Sequence, residues 1–212
     1  MAKNPFIIGV AGGSGSGKST VTQQIISTLN QSQSISVFLQ DNFYKDRSHL
    51  TPQERKLINF DHPNALDWSI MRQSIHKLSN NQSVQVPLYN FTNHTREQES
   101  LLINPTKIII VEGIFALYDQ EITDKMSLKI FVDTASDIRL IRRIKRDTTE
   151  RQRSLEDICA QYLLSVRPMY KQFVEPTKVQ ADILLPHGSN TAALDLILSQ
   201  ITAVINQDTN AS

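Results

Sequence analysis

The stretch "VAGGSGSGKSTV", residues 10–21, holds four of the seven glycines in this chain of 212 residues. It follows a short apolar run and precedes an amphipathic stretch, so the sequence predicts a strand, a loop and a helix in succession. Glycine loses more backbone entropy on folding than any other residue, so its concentration in one loop indicates a backbone that something must approach closely. Residues 12–19 match the pattern G-x-x-x-x-G-K-[ST], which cradles phosphate groups.

The chemistry of this loop predicts a nucleoside triphosphate as its ligand. Backbone N–H groups converge on phosphate oxygens there, and the following helix directs its positive end at the same charge. Lys18 is expected to neutralise the β- and γ-phosphates, while the Ser19 hydroxyl ligates Mg²⁺. The other phosphate contacts are expected from Gly12, Gly13, Ser14, Gly15, Ser16, Gly17 and Thr20. The alternative, a flexible Gly/Ser turn, leaves the Lys-Ser ending and the flanking strand and helix unexplained.

The composition limits the class of protein. A chain of 212 residues that is 40% hydrophobic is most simply one globular domain, residues 1–212. A net charge of +1 argues against a protein that binds nucleic acid through overall positive charge. The single cysteine, Cys159, excludes an internal disulfide and suits a reducing compartment. The sequence lacks a signal-peptide pattern and any stretch of roughly 20 apolar residues, so we expect a cytoplasmic protein without a membrane partner.

Short apolar runs alternate with amphipathic stretches along the chain. Buried strands are predicted at residues 6–11, 35–40, 107–112, 128–133 and 181–186. Helices are predicted at residues 18–29, 68–78, 136–146, 154–173 and 191–205. This alternation predicts an α/β fold with a mainly parallel sheet and helices on both faces. Residues 83–91 instead alternate with a period of two and predict the start of a small antiparallel insertion.

Two carboxylates compete for a second Mg²⁺ contact. Such a carboxylate should stand at the end of a buried strand, on the edge where ligand sites of α/β proteins form. Glu112 follows four consecutive β-branched residues, whereas Asp133 ends the run "IFVD". Asp133 or Ser136 can also simply cap the helix that begins near Asp137. The sequence therefore favours Glu112.

Asp41 follows the second predicted strand and opens onto the same edge of the sheet. A carboxylate there can accept the proton of a hydroxyl group that receives phosphate. The segment "QDNF" is equally typical of an ordinary Asx turn, so the pattern leaves both interpretations open.

A basic stripe lies within residues 139–153, which contain seven of the 22 lysines and arginines. Four of the seven recur at helical spacing: Arg139, Arg142, Arg143 and Arg146. Leu140, Ile141 and Ile144 are expected to form the apolar side of this helix. The stripe is either a solvated face or a lid whose guanidinium groups clamp phosphate and exclude water. A triphosphate bound elsewhere in the protein favours the lid.

The segment "VPLYNFTNHTR", residues 86–96, places Tyr89 and Phe91 on one face of a strand. His94 and Arg96 follow them near the end of the same segment. Aromatic rings beside hydrogen-bonding groups can stack on a flat base. Packing of the insertion against the domain explains the aromatic residues equally well, so spacing alone does not decide.

Segments spread over nearly the whole chain resemble the uridine kinase (uridine–cytidine kinase) family. They are "FIIGVAGGSGSGKST", "LQDNFYK", "NFDHPNALD", "VPLYNFTNHTR", "VEGIFAL", "IFVDTASDIRLIRRIKRDTTERQRS", "QYLLSVRPMYKQFVEPTK" and "ADILLPHG". The resemblance implies a P-loop NTPase-type fold and transfer of the ATP γ-phosphate to the 5′-hydroxyl of uridine or cytidine, which gives UMP or CMP. Family members commonly form homotetramers and respond to pyrimidine triphosphates, and the same is expected here by analogy. The sequence is compatible with either nucleoside and with ATP or GTP as donor.

The resemblance also implies roles for particular residues. Asp41 becomes the general base, Lys18 acts on the transferred phosphate, and Ser19 and Glu112 hold Mg²⁺. Asp61 and Arg143 contact the ribose hydroxyls. The insertion at residues 83–103 binds the nucleoside, with a pyrimidine pocket of Tyr89, Phe91 and His94 and with Arg153 and Gln161 nearby. Arg146 and Arg151 belong to the phosphate side of a lid at residues 139–153.

The sequence departs from the usual family pattern at three positions. Gln152 replaces the glycine of "ERGR", Asn90 stands at a frequent aspartate position, and His187 replaces a usual arginine. None of these changes removes a candidate catalytic group, so we expect effects on rate and donor preference rather than loss of activity.

Two rival functions share the phosphate loop. Transfer to a sugar phosphate, as in phosphoribulokinase, needs an additional anion site, whereas the insertion here is aromatic. A nucleotide-dependent switch is disfavoured because the chain contains no Asn-Lys-x-Asp motif for reading guanine.

Overall fold

Five parallel strands form the central sheet of the computed structural model, which describes residues 4–29, 35–186 and 191–210. Together with the two strands of a separate hairpin, the described residues contain β1 (Phe6–Ala11), β2 (Ile35–Leu39), β3 (Val84–Asn90), β4 (Thr95–Ile103), β5 (Ile108–Glu112), β6 (Leu128–Asp133) and β7 (Ile183–Pro186). The sheet has the spatial order β2-β5-β1-β6-β7, while β3 and β4 pair separately as an antiparallel hairpin. The predicted parallel sheet and small antiparallel insertion are both confirmed.

The helices follow the predicted alternation. They are α1 (Lys18–Leu29), α2 (Pro52–Lys56), α3 (Trp68–Ser79), α4 (Gln120–Thr123), α5 (Ser136–Thr149), α6 (Leu155–Gln161), α7 (Arg167–Met169) and α8 (Thr191–Asn210). The predicted helices at α1, α3, α5 and α8 are confirmed, although α5 and α8 extend further than their apolar patterns do. No helix in the described part of the chain is long and apolar enough to cross a membrane.

The helix predicted at residues 154–173 is not regular. After α6 the chain passes through a π-helical turn at Tyr162–Val166, then α7, a second π-helical turn at Tyr170–Val174 and a 3₁₀ segment at Glu175–Gln180. Pro168 lies in α7 and cannot donate the backbone hydrogen bond of a regular helix, and its ring displaces the carbonyl one turn earlier. The widened turn before it accommodates that clash.

The sheet is buried on both faces, which explains why its strands are continuously apolar. In β1, Ile7 and Ala11 face one core cluster and Ile8 and Val10 face the other. The first cluster is covered by α3 and the hairpin, the second by α1 and α8. Helices therefore cover both faces, as predicted.

The register of the sheet brings three chain segments to one edge. Val10 of β1 lies beside Glu112 of β5, and Glu112 lies beside Leu39 of β2. Because these strands are parallel, the loop at residues 12–19, the 3₁₀ turn at Gln40–Phe43 and Glu112 emerge together. This is the edge at which α/β proteins bind ligands.

Candidate active site

A cleft of about 330 Å³ opens at this edge of the sheet. It collects most of the residues that the sequence analysis singled out: Ser14, Lys18, Ser19, Asp41, Asp61, Tyr89, Phe91, His94, Glu112, Arg143, Arg146, Arg151, Arg153 and Gln161. A second recess on the outer side of the phosphate loop is lined by Gly15, Gly17, Thr20 and Arg142, among others. Residues separated by up to 147 positions in the chain thus border one space.

The loop at residues 12–19 needs its glycines for backbone reasons. Gly12, Gly15 and Gly17 have φ angles of +146°, +77° and +101°, a region that other residues rarely adopt. A Cβ atom at Gly12 would lie 2.6 Å from the carbonyl oxygen of Val132, and one at Gly15 would clash with the backbone of Arg139. The loop therefore packs directly on the end of β6 and on α5.

The same loop is anchored from beneath by hydrogen bonds. The Thr134 hydroxyl donates to the carbonyl oxygen of Ser16 at 2.8 Å, and Arg142 Nη1 donates to the same oxygen at 3.2 Å. Ser16 is fully buried. These hydrogen bonds fix the backbone of the loop at Ser16, which lowers the cost of ordering the loop around a ligand.

Lys18 lies inside the cleft with its ammonium group against the loop. Its Nζ donates to the carbonyl oxygen of Gly13 at 3.2 Å. Burial lowers the pKa of Lys18, while the carboxylates of Glu112 and Asp41 oppose that change. The ammonium group therefore lies near the carboxylates of Glu112 and Asp41 at this edge of the sheet.

Ser19 and Glu112 bring together two oxygen atoms of the kind that hard cations prefer. The Ser19 hydroxyl donates to Glu112 Oε1 at 2.6 Å. Mg²⁺ typically binds proteins through one or two such oxygens and takes its remaining ligands from phosphates and water, so this pair fits it. Asp133, the competing candidate, is ion-paired with Lys178 at 2.8 Å and does not line the cleft. Neither Asp133 nor Ser136 caps α5, whose N-cap is Ala135 without a side-chain cap.

Asp41 lies in the turn Gln40–Phe43, on the wall of the cleft. Burial raises the pKa of Asp41, and the charge of Lys18 opposes the shift. Among residues 4–29, 35–186 and 191–210 its carboxylate makes no hydrogen bond of the Asx-turn type. Gln40 is buried beneath it and accepts a hydrogen bond from the Phe115 backbone N–H at 2.8 Å, which fixes the turn against the segment after β5.

Asp61 faces the cleft from the loop before α3. Its Oδ2 accepts a hydrogen bond from the Ser165 hydroxyl at 2.9 Å. Burial raises the pKa of Asp61, and the nearby guanidinium of Arg143 opposes this. Ser165 was not predicted from the sequence, although it lies four residues after Gln161 and so shares the same face of the helical segment.

Gln161 joins two arginines beside Asp61. Its Oε1 accepts from Arg143 Nη2 at 2.9 Å and from Arg153 Nη1 at 2.6 Å. Arg143 also donates to the Ser14 hydroxyl at 3.0 Å. The structure therefore brings Arg143, Arg153 and Gln161 together, and Arg143 links them to the phosphate loop.

The aromatic residues of the hairpin divide between packing and exposure. Tyr89 is buried against Tyr44, with ring centroids 5.1 Å apart, so packing accounts for it. Phe91 is 42% exposed in the cleft. His94 stacks on Phe60 at 4.5 Å, and burial lowers its pKa. Phe60, in the segment "NFDHP", was not predicted, because its contact with His94 joins two segments that are distant in the sequence.

Arg96 does not line the cleft. Its Nε donates to the carbonyl oxygen of Tyr44 at 2.9 Å, and its Nη2 lies 3.3 Å from Asp67 Oδ2. Arg96 therefore ties the hairpin to the chain around the turn Gln40–Phe43 and the start of α3.

The basic stripe of α5 differs from both sequence interpretations at Arg139 and from the solvated-face interpretation at Arg143. Arg139 and Arg143 are only 4% and 6% exposed, so a solvated basic face is wrong for them. Arg139 lies over the ring of Tyr170 at 3.8 Å and donates to the carbonyl oxygen of Thr134, outside the cleft, so it is not a lid residue. The expected apolar side is also wrong at Ile141, which is 51% exposed. The buried positions of α5 are instead occupied by Arg139, which stacks on Tyr170, and by Arg143, which pairs with Asp147.

The four arginines that do line the cleft surround Asp147, which is completely buried. Asp147 was not predicted from the sequence, because a single acid within a basic run is not by itself a site pattern. Its spacing of four residues from both Arg143 and Arg151 is the one pattern that pointed to it.

The departures from the family pattern have different structural consequences. Gln152 has a φ of +52°, which explains why glycine suits this position. Asn90 closes the hairpin turn by accepting from the backbone N–H groups of Thr92 and Asn93 and donates to Glu97 at 2.7 Å. An aspartate would keep the first two bonds but repel Glu97. His187 lies outside the described residues.

Replacing Gln152 by glycine is expected to stabilise the protein by about 0.5–1 kcal/mol. A left-handed conformation costs a non-glycine residue about 1–2 kcal/mol, and the extra freedom of glycine in the unfolded chain cancels part of the gain. Urea unfolding measures the change. Glu150→Gly, at a neighbouring position with a φ of −92°, is the control and should lose stability. Equal changes for both variants would contradict a conformational origin.

Comparison with known proteins supplies an independent line of evidence. Residues 7–193 match the model of the phosphoribulokinase/uridine kinase family. The chain is 46% identical over 207 residues to a uridine kinase of Lactobacillus johnsonii, which covers 97% of this chain and 98% of the relative. It is 48% identical over 205 residues to a uridine kinase of Staphylococcus haemolyticus, with coverage of 96% and 99%.

Among solved structures, the fold is similar to that of a phosphoribulokinase from Rhodobacter spheroides. The TM-score is 0.66 at 16% sequence identity, over 87% of this chain and 71% of the other. At that identity the likeness concerns the fold alone. It agrees with a P-loop kinase architecture built on a mainly parallel sheet.

Proposed function

The chain belongs to the phosphoribulokinase/uridine kinase family, and from that premise we propose that it is a uridine kinase that transfers the γ-phosphate of ATP to the 5′-hydroxyl of uridine or cytidine. The observation that carries the proposal is the single cleft in which a phosphate loop, a buried aspartate and an aromatic hairpin face one another. The bond between the γ-phosphorus and the leaving ADP oxygen breaks, a bond to the 5′-oxygen forms, and the hydroxyl proton passes to Asp41.

The phosphate side of the cleft stabilises negative charge. Lys18 is released from the Gly13 carbonyl to contact the β- and γ-phosphates, and backbone N–H groups of the loop bind the remaining oxygens. Ser19 and Glu112 would hold Mg²⁺, which neutralises phosphate charge when it is bound. Arg146 and Arg151, which also line the cleft, are the remaining positive groups on this side. ATP is the proposed donor, and GTP fills the same contacts to phosphate.

Asp41 acts as the general base in this proposal. It lies on the wall of the cleft near Lys18 and Glu112, so a hydroxyl directed at the γ-phosphate passes within its reach. Its raised pKa makes it a better proton acceptor than an exposed aspartate once it is ionised. The turn Gln40–Phe43 holds it in place through Gln40.

The nucleoside side of the cleft recognises a ribose and a flat base. Asp61, oriented by Ser165, accepts hydrogen bonds from vicinal hydroxyls, while Arg143 and Gln161 lie beside it. The exposed face of Phe91 and the polar edge of His94 suit a pyrimidine, with Tyr89 as packing support and Arg153 close by. The hairpin and the segment that carries Arg151 and Arg153 are thus proposed as the nucleoside insertion and the lid.

Replacing Asp61 by alanine is expected to lower kcat/KM for uridine about 10- to 100-fold while ATP affinity stays within about threefold. A buried carboxylate that accepts from ribose hydroxyls contributes to nucleoside binding but touches no phosphate. Separate titrations of uridine and of an ATP analogue measure the two effects. Equal loss of both affinities would mean a folding defect or a wrong assignment.

Product analysis tests the proposal directly. Purified protein, ATP and Mg²⁺ are incubated with uridine, cytidine, their 2′-deoxy forms and ribulose 5-phosphate, and products are identified by mass. UMP and CMP are expected, with the deoxynucleosides poor substrates. Phosphorylated ribulose 5-phosphate would instead support a phosphoribulokinase-like activity. Slow ATP hydrolysis that is unaffected by any acceptor would support a nucleotide switch.

We also propose that the chain acts in the cytoplasm as a homotetramer. The support is the resemblance to uridine kinases together with apolar surface on α5, where Ile138 and Ile141 are exposed. Sedimentation velocity at micromolar concentration distinguishes a tetramer from smaller species. No nucleic acid or membrane is needed as a partner.

A further inference from the structure

Asp147 is the meeting point of the four arginines that line the cleft. It is 0% exposed. Arg146 contacts its Oδ1 through both Nε and Nη2 at 2.8 Å, and Arg151 Nη1 lies 3.6 Å from the same oxygen. On the other side, Arg143 Nε and Arg153 Nη1 lie 3.5 Å and 3.8 Å from Oδ2.

The two oxygens of Asp147 therefore serve two different pairs of arginines. Oδ1 faces Arg146 and Arg151, the pair on the phosphate side. Oδ2 faces Arg143 and Arg153, the pair that also donates to Gln161 beside the ribose contacts. One side chain thus touches both halves of the cleft.

The main chain of Asp147 anchors the same region. The backbone N–H of Arg153 donates to the carbonyl oxygen of Asp147 at 3.1 Å, which closes the loop between them. Within that loop, the guanidinium of Arg151 lies 5.5 Å from the ring centre of Phe91 on the hairpin. A displacement of Asp147 would therefore shift Arg146 and Arg151 and change the contact between Arg151 and Phe91.

We propose that Asp147 is a positioning residue that sets the four arginines and couples binding of the phosphate donor to binding of the nucleoside. This inference rests on the proposed function, since it assigns the two arginine pairs to two substrates. Asp147 itself lies behind the arginines and contacts neither substrate.

Charge explains why an acid belongs at this position. Four guanidinium groups that converge on one point repel one another, and the carboxylate offsets one of the four charges and leaves a net charge of +3 to attract phosphate. Its planar shape also fixes the direction of the Arg146 guanidinium, which contacts Oδ1 through Nε and Nη2, and a mobile counter-ion would not do this.

The cluster is incompletely bonded on the nucleoside side. Across the parts of the chain that the structure describes, Asp147 Oδ2 and Arg143 Nε are buried without hydrogen-bond partners, although only 3.5 Å separates them. Gln161 Oε1 holds Arg143 and Arg153 on their other side at 2.9 Å and 2.6 Å. A nucleoside that engages Gln161 frees these arginines to close on Oδ2, and the shared carboxylate transmits that change to Arg146 and Arg151. Unpaired buried polar atoms favour such a rearrangement.

A merely structural role is the alternative, because a buried ion pair can hold two elements together without acting on substrates. The two roles differ in what they change. A structural residue alters the melting temperature, whereas a positioning residue alters turnover and the effect of one substrate on the other.

Asp147→Asn, Asp147→Glu and the control Asp137→Asn test the inference in the full-length protein. Asp137 lies on the same helix but is exposed, so its substitution removes the same charge outside the cleft. The dissociation constant of the non-hydrolysable ATP analogue AMPPNP, with Mg²⁺, is measured with and without saturating uridine, together with kcat and thermal unfolding.

In the unmodified protein, uridine is expected to tighten AMPPNP binding at least about fivefold. Asp147→Asn is expected to reduce this ratio to below about twofold and kcat about 10- to 100-fold, whereas Asp137→Asn leaves both unchanged. Should the Asn variant fail to fold, Asp147→Glu keeps the charge but displaces both oxygens, and at least a threefold loss of the ratio is expected.

Turnover and a ratio equal to those of the unmodified protein in a folded Asp147 variant would overturn the inference and leave the proposed function intact. No coupling in the unmodified protein would also overturn it. Failure of the unmodified protein to phosphorylate any nucleoside would instead refute the proposed function, so the two failures are distinguishable.

Discussion

Replacing Asp41 by asparagine is expected to lower kcat about 10²- to 10⁴-fold, the range that general-base catalysis contributes. The amide has nearly the size and shape of the carboxylate but cannot accept the proton of the 5′-hydroxyl. The phosphate loop and the Ser19–Glu112 pair remain in place, so ATP affinity should change little. A quenched-flow measurement of UMP formation reports the chemical step directly, separate from product release.

The matched control is Asp124→Asn, which removes a carboxylate from the exposed end of α4, away from the cleft. It should leave kcat within about twofold of the unmodified value. If Asp41→Asn turned over as fast as this control, Asp41 would not be the base. A parallel loss of ATP affinity would indicate instead that the turn Gln40–Phe43 had collapsed.

The dependence of kcat/KM on pH gives a second test of Asp41 as the general base. Burial raises the pKa of Asp41 above its ordinary value of 3.8, and Lys18 opposes the shift. Only the ionised carboxylate accepts a proton, so kcat/KM rises as pH increases through that pKa, and this acid limb lies above pH 3.8. The Asp41→Asn variant should lose the limb that Asp41 produces.

Lys18→Met is expected to lower kcat/KM for ATP about 10²- to 10³-fold, the loss seen when one preorganised donor is removed from a site of developing charge. Methionine fills similar space without the ammonium group. Because Lys18 is buried between the loop and the carboxylates, no water-filled gap should replace it. Most of the loss should fall on kcat, since loop N–H groups and Mg²⁺ still bind the triphosphate.

Lys125→Met, which removes an exposed lysine beyond α4, is the control for the loss of one positive charge. Isothermal titration with AMPPNP separates binding from turnover. Weaker AMPPNP binding with an unchanged kcat in the Lys18 variant would place Lys18 in ground-state affinity rather than in stabilisation of the transferring phosphate.

Much of the fold could be predicted from the sequence, because runs of β-branched residues favour buried strands and apolar residues at helical spacing favour helices. Strand β1 and helix α1 have the predicted bounds, and parallel strands place residues that follow them at a common edge, so Asp41 and Glu112 could be brought to the phosphate loop by topology alone. Their placement depends on the order and direction of the strands rather than on side-chain contacts.

Side-chain pairing was the part that periodicity could not predict. A hydrophobicity pattern directs Arg139 and Arg143 to solvent and Ile141 to the core, whereas the structure does the reverse. Arg139 is buried against the Tyr170 ring, which comes from a distant segment and has no sequence signal. Arg143 is buried beside Asp147, whose spacing of four residues was the only sequence sign of the pair. Phe60 and Ser165 were missed for a related reason, because their roles appear only once distant segments lie side by side.

The hydrogen bond between Ser19 and Glu112 has a consequence for the order in which ligands load. The Ser19 hydroxyl already donates to Glu112 Oε1 at 2.6 Å, so a lone Mg²⁺ ion at the proposed site would have to displace that contact without any phosphate to share its coordination. Entry as a preformed complex with the nucleotide avoids the penalty. We therefore expect the proposed Mg²⁺ ion to enter already bound to the triphosphate rather than ahead of it.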